Sequence, residues 1–479
     1  RQFTPKLCSI FDEYIQNQIP MRKKEWMSEI YHKYYVHNEI ISRLFEKYIF
    51  KEEEEEEEDE EDEDEYGENE KDKEGDENSR DSSVTITVNA VLDNIIHHRQ
   101  LHRLPDYRGY KFDNDTLKRS VKCWVEKPKI TESVFGHIGS WDVSNVTDMS
   151  RLFVFAKYND DIGEFVDGIP FNEDISKWDV SNVTDMSSMF HCAYSFNQPI
   201  GDWNVSNVTD MSSMFYHACS FNQPIGRWNT SNVRDMHWMF SDAKSFNQPL
   251  SDWDISNVVC IDSMFNDASS FNQPIGCWNV SNVTSMREMF TYANSFNQPI
   301  GNWNVSNVTD ISYMFHCAGS FNQPIGTWDI SKVTNMDRMF NGAHLFNQPI
   351  GDWNVSNVTT MIGMFDGAHS FNQPIGTWDI SKVTNMDKMF RRSNKFNDET
   401  IKRWRVNPKC SYDSMFDFNS PILKLSLDNT WNSQIRKIIR TTRWKQTHAK
   451  IDEIKEIKRV REKYSAVEQL PANKRKKMM

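Results

Sequence analysis

No uncharged apolar run in this 479-residue chain approaches the ~18 residues a membrane helix requires, so the sequence predicts no membrane span. Its eight cysteines, Cys8, Cys123, Cys192, Cys219, Cys260, Cys277, Cys317 and Cys410, show no paired spacing, although the repeat described below could have imposed one. Reduced thiols and an intracellular setting follow from that irregularity. Neither a P-loop nor a G-x-G-x-x-G, H-E-x-x-H or G-x-S-x-G pattern occurs. Without a convergent set of polar groups, the expectation is a protein that is not an enzyme and holds no cofactor. Asn-Val-Thr triplets such as 182–184 match a glycosylation acceptor only as by-products of the repeat. The chain starts at Arg1 rather than Met, as it would after loss of a leader or trimming.

The charge that is present is segregated. The formal net charge is -14, yet residues 51–81 hold 21 acidic and 4 basic residues, and residues 431–479 hold 15 basic and 5 acidic ones. Residues 52–65 are fourteen consecutive carboxylates, which repel one another and carry no apolar area to bury; they read as a disordered acidic tether.

Tryptophan spacing defines the middle. Trp178, Trp203, Trp228, Trp253, Trp278, Trp303, Trp328, Trp353 and Trp378 recur every 25 residues. A period of that length marks units that cannot bury an apolar face alone and must stack on copies of themselves. Trp141 opens the array, followed by a 12-residue insertion, and Trp404 closes it one residue late. Counting each Trp as position 1, the repeat from Trp203 alternates at Trp203 and Val205, as a short half-buried strand would. It then steps by 3, 1 and 3 through Met211, Met214, Phe215 and Ala218, as one stripe of a short helix would, with Thr209 or Asp210 as N-cap. The fold expected from the residues is an α/β repeat solenoid, one short strand and one short helix per repeat, with helical flanking segments.

Position 20 is Asn throughout; Asn197, Asn222, Asn247, Asn272, Asn297, Asn322, Asn347 and Asn372 are expected to form a structural ladder, their amides satisfying backbone groups of the repeats on either side. Position 5 drifts, to Lys332 and Lys382, and position 2, always Asn or Asp, predicts a polar ladder along the sheet. Positions 10, 11, 14, 15 and 17 vary freely and are expected to project from the helix, away from the core. They supply the candidate interface: Tyr216, Trp238, Tyr292 and Tyr313 as aromatic anchors, with Arg287, Arg338, Arg391 and Arg392. His191 and Cys192 beside His217 and Cys219, and again His316 and Cys317, are zinc-type ligands, but neighbouring helices would hold them too far apart, so no metal is expected.

The pattern W-D/N-V-S-N-V-T-D-M-x-x-M-F-x-x-A-x-S-F-N-Q-P-I-G, as in 203–226, resembles that of BspA-like leucine-rich-repeat proteins, whose unit was first described as a domain of unknown function in mycoplasma lipoproteins and occurs in other bacterial surface proteins; similar arrays are encoded by large DNA viruses and protists. The resemblance covers about 141–416, and implies a leucine-rich-repeat-like solenoid used for surface display and protein contacts. The acidic run lies outside that pattern, and the expected setting is intracellular, in cytoplasm or nucleus, or virion-associated.

The organisation predicted is a helical docking segment over 1–50, the acidic tether over 51–82, an N-terminal cap over 83–140, the solenoid of about eleven repeats over 141–416, and a C-terminal cap with a basic helical tail over 417–479. The leading expectation is a protein-binding or structural scaffold. The alternative is nucleic-acid association through the basic tail, which ends in Lys474, Arg475, Lys476 and Lys477. A third is self-assembly, the acidic tether of one copy engaging the basic tail of another.

Overall fold

The structure is a computed structural model that describes residues 109–154, 157–159, 164–166 and 170–468. The expectations for 1–50, 51–82, the 83–108 part of the N-terminal cap and the cluster at 474–477 lie outside the described residues. The chain divides into two compact bodies. The described part of the first is 109–110 and 122–137; the second comprises 111–121 and everything from 138 onward.

Helix α1, Asn114–Glu126, starts after Asp113, whose carboxylate accepts the Thr116 N–H at 2.9 Å while Thr116 Oγ1 accepts the Asp113 N–H at 3.0 Å. Helix α2, Pro128–Phe135, opens on Pro128, where a missing N–H costs nothing, and ends at Gly136, whose φ of 79° suits glycine. In the second body, residues 111–121 pair with the first repeat: Lys111 bridges Asp142 in parallel, Phe112 stacks on Trp141 at 4.8 Å, and Leu117 and Val121 are fully buried.

The expected strand and helix in each repeat are not what forms. Among the described residues the only ladder strands are β1, Lys157–Asn159, and β2, Glu164–Val166, an antiparallel pair inside the insertion after the first repeat. Each repeat is instead a coil of successive turns. In the repeat from Trp203, the N–H groups of Met211, Ser213, Phe215 and His217 donate to the carbonyls of Asp235, His237, Met239 and Ser241 in the next repeat, at 2.8–3.1 Å. The alternate N–H groups of Met214, Tyr216 and Ala218 turn back three residues, to the carbonyls of Met211, Ser213 and Phe215. Every amide from Met211 to Ala218 is satisfied, Ser212 by the Asp210 carboxylate and half of them by the neighbouring copy, which leaves none for an i to i−4 helix.

Two left-handed residues per repeat make this possible. Positions 11 and 15 have positive φ in nearly every repeat, for example Ser213 (55°) and His217 (56°), or Trp238 (56°) and Asp242 (58°). Each is the third residue of a four-residue turn, the φ signature of a type II turn. A chain of such turns returns side chains to one side every three or four residues, so it reproduces the spacing of a helix without being one. Nor does Asp210 cap a helix: its Oδ1 accepts the Ser212 N–H at 2.8 Å and bends the chain locally. The polar ladder expected at position 2 is likewise a row of local turns, Asn204 Oδ1 accepting from Ser206 N at 3.2 Å. Position 8 forms a parallel bridge from repeat to repeat, running through Asp185, Asp210, Asp235, Cys260, Ser285 and onward to Ser411, and Phe390 and Phe416 add one more bridge at position 13.

Side chains fill the coils in columns. Phe190, Phe215, Phe240 and Phe265 stack at 5.6 Å with interplanar angles of 4–8°, and each packs on its own repeat's second Phe, as Phe215 on Phe221 at 4.0 Å. Consecutive indoles also stack, Trp228 on Trp253 at 6.3 Å, and the Trp228 Nε1–H donates to the Ile200 carbonyl one coil back. All of these side chains are buried. The glycine of the Pro-Ile-Gly turn answers a close approach rather than a special φ: a Cβ on Gly201 would stand 2.2 Å from the Pro224 carbonyl oxygen. Ser176 and Ser251 occupy the equivalent position ahead of Trp178 and Trp253, so the stack accommodates exceptions.

After the last repeat, the 3-10 turn Pro421–Lys424 leads to helix α3, Ser433–Glu468. Ile435, Ile438 and Ile439 are buried, whereas Ile451, Ile454, Ile457 and Val460 are exposed. Among the described residues no helix is long and apolar enough to cross a membrane.

Candidate functional site

Each position-20 Asn is half-buried or exposed rather than enclosed, and its side-chain oxygen accepts from the following repeat alone, while its backbone N–H donates to the Asn of the preceding one. Asn197 Oδ1 accepts the Asn222 N–H at 2.9 Å and Gln223 Nε2 donates to the Asn197 carbonyl at 2.9 Å; the amide-to-backbone bond recurs through Asn247, Asn272, Asn297, Asn322 and Asn347 to Asn372, which accepts from Asn397. Position 5 is a second ladder that sequence variation concealed. Asn207 Nδ2 donates to the Ser181 carbonyl at 2.7 Å, and where Lys332 and Lys382 replace Asn their ammonium groups still reach the preceding repeat, at Asn307 and Asn357 Oδ1.

All the candidate interface residues but Arg287 fall into three groups on the turn-bearing side of the coils. Trp238 stacks on Tyr216 at 5.6 Å, and Tyr216 packs on His191 at 4.7 Å. Burial, then the charge of His217, pushes the His191 pKa down to about 4, so that imidazole is neutral at pH 7. In the second group, His316 packs edge-on against Tyr292 (5.1 Å) and Tyr313 (5.7 Å), and the Arg338 guanidinium lies 5.2 Å from the Tyr313 ring centre. His316 Nδ1 donates to the Asn341 carbonyl at 3.1 Å, which orients the ring. Arg287 stands apart, exposed and paired with Glu288 at 2.7 Å.

The third group lines a concavity of about 220 Å³, where Arg338, Lys388, Arg391 and Arg392 surround the single carboxylate of Asp366. Arg391 Nε donates to Asp366 Oδ2 at 2.8 Å, and Asp366 Oδ1 is buried without a hydrogen-bond partner. Four cations around one acid leave a positive surplus, so the concavity suits an acidic group. Asp366 and Lys388 went unrecognised in the sequence because nothing in it says that positions 11, 14 and 15 of successive repeats converge.

Between the first two groups, Asp242 and Asp267 share Lys244, whose Nζ lies 3.6 and 3.2 Å from their oxygens. Burial, followed by Asp267, raises the Asp242 pKa to about 6. Among the described residues, Asp235, His237 and Cys260 are the three metal-ligand types whose donor atoms converge, within 4.8 Å of one another. His191, Cys192, His217 and Cys219 do not converge in this way. The seven described cysteines are free thiols, and burial raises Cys192 and Cys260 to about 11.

Coils held together by parallel bridges and shared amides define a tandem-repeat protein. The family model described as "Mycoplasma protein of unknown function, DUF285" matches three times in tandem, over residues 128–251, 239–334 and 316–429, and the chain belongs to that family. No curated protein and no solved structure matches the chain.

Proposed function

We propose that the chain is a non-enzymatic protein-binding scaffold of BspA-like type, working in an intracellular or virion-associated setting and reading its partner with positions 10, 11, 14 and 15 of the coils. The observation that carries the reading is where the large side chains sit. Positions 11 and 15 need only a left-handed backbone, which Gly342, Gly363 and Gly367 supply without strain. The chain nonetheless places Trp238, Tyr292, Tyr313 and Arg338 there, at φ of 52–58°, and Trp238 and Tyr292 are each 45% exposed. A bulky residue in that region costs on the order of 1–3 kcal/mol and gains little burial here, so folding does not account for it. Contact with a partner does, since exposed Trp, Tyr and Arg are the usual anchors of interfaces. The cationic concavity around Asp366 supports a partner that presents an acidic side chain beside an apolar patch.

Affinity capture on the intact chain tests this, compared with a variant carrying Trp238→Ser, Tyr292→Gly, Tyr313→Ser and Arg338→Gly. Ser and Gly already occupy these columns, at Ser213, Gly342 and Gly363, so the fold tolerates them. Proteins captured by the wild type should be lost from the variant at unchanged melting temperature. An identical captured set would overturn the proposal, and capture that survives the substitutions but vanishes on nuclease treatment or on deletion of 431–479 would favour nucleic-acid association instead.

A further inference from the structure

We propose that Asp235, His237 and Cys260 form a binding site for a divalent transition-metal ion of the zinc type. The backbone places them together. Asp235 and Cys260 are the position-8 residues of consecutive repeats and face each other across a parallel bridge, so their side chains leave the backbone on the same side. His237 follows Asp235 by two residues and returns to it, Nδ1 lying 2.7 Å from Asp235 Oδ1. The carboxylate oxygen, imidazole nitrogen and sulfur lie within 4.8 Å of one another. Tetrahedral zinc, with bonds of about 2.0–2.3 Å, needs its donors about 3.3–3.8 Å apart, which side-chain rotation of roughly an ångström achieves.

Oxygen, nitrogen and sulfur donors together match zinc and its neighbours rather than calcium or magnesium, which take oxygen alone. On binding, the Cys260 thiol releases its proton to solvent as the sulfur–metal bond forms, the hydrogen bond between Asp235 and His237 opens as both turn to the ion, and the imidazole binds as the neutral ring with its one proton on the nitrogen away from the ion, any second ring proton also leaving to solvent. Solvent completes the fourth position. The flanking repeats add negative charge without supplying the three donors: Asp210 bridges Asp235 from the preceding repeat, and Asp262 acts on His237 from the following one.

The columns show that the trio is dispensable for folding. Position 8 is Ser at Ser285 and Asn at Asn335, and position 10 is Ser at Ser212, each in a coil of the same form. Cys260→Ser, Asp235→Asn and His237→Ser therefore remove one donor each while copying a residue the stack already carries.

The test uses the full chain, reduced, stripped with a chelator and titrated with cobalt(II). The expected result is a thiolate-to-cobalt charge-transfer band in the near ultraviolet with tetrahedral ligand-field bands in the visible, both bleached when zinc displaces the cobalt. Cys260→Ser should abolish the charge-transfer band, and Asp235→Asn and His237→Ser should each weaken cobalt binding by at least about tenfold, the loss that even an outer-shell partner commonly produces. Circular dichroism and melting of the apo variants should match the wild type. The proposal is overturned by absence of the charge-transfer band, by its persistence in Cys260→Ser, or by titrations of Asp235→Asn and His237→Ser that overlay the wild type.

Discussion

The coil from Trp203 and the start of helix α3 carry the same local pattern and fold differently. Met211, Met214 and Phe215 step by 3 and 1, and so do Ile435, Ile438 and Ile439; all six are buried. Each segment opens on an Asx residue that accepts the N–H two residues on, Asp210 from Ser212 and Asn432 from Gln434, both at 2.8 Å. In α3 the chain then closes on itself, the Arg436 N–H reaching the Asn432 carbonyl. In the coil, a copy of the same segment lies alongside, and alternate amides cross to it. The presence of that neighbour, rather than the apolar spacing, decides between helix and turn.

Breaking the stack should therefore cost far more than shortening the helix. Phe290 lies fully buried between Phe265 and Phe315, at 5.8 Å from each, and Phe290→Ala should destabilise the chain by about 3–5 kcal/mol in urea titration. Loss of less than ~1 kcal/mol would mean the columns are not its core. Next in size is Asn272→Ala, which strips the Asn297 N–H of its acceptor and should cost about 1–3 kcal/mol by the same measurement.

A smaller effect separates charge from packing. The Asp242 carboxyl is raised from 3.8 to about 6 in the folded chain, so the folded state holds that proton more tightly than the unfolded state. Its ionisation destabilises the fold progressively as pH rises from about 4 through about 6. Asn tolerates the left-handed φ of 58° at this position, so Asp242→Asn should raise stability at pH 7, by about 1 kcal/mol or less, and the gain should shrink at pH 5. A gain independent of pH would show that packing, not charge, is responsible. Smallest of all is removal of residues 448–479, whose described apolar side chains Ile451, Ile454, Ile457 and Val460 are exposed; chemical denaturation should shift by less than about 0.5 kcal/mol.

Much of this molecule is legible in its sequence, and the illegible part has one cause. Tryptophan spacing gives the register, and the invariant Phe, Met and Asn mark the buried columns and one hydrogen-bonded ladder. Backbone conformation is hidden, because residues as unlike as Trp238, Glu288 and Arg338 all adopt positive φ where Gly or Asn would have announced it. Turns of this kind also imitate the spacing of a helix. The site suffers similarly: Tyr216 and Trp238 stand out singly, but their stacking, the cations around Asp366 and the meeting of Asp235, His237 and Cys260 arise only when repeats lie in parallel register.

Parallel stacking at a fixed register is tested most directly by a pair of internal deletions compared by circular dichroism and thermal melting. Removing residues 278–302, one whole repeat, brings Trp253 and Trp303 into neighbouring coils and restores every column. That chain should keep the wild-type spectrum per residue and a cooperative melt within a few degrees of it, whereas removing 278–290 should abolish the cooperative melt of the coils that follow. Equal tolerance of the two deletions, or equal damage by both, would contradict the account.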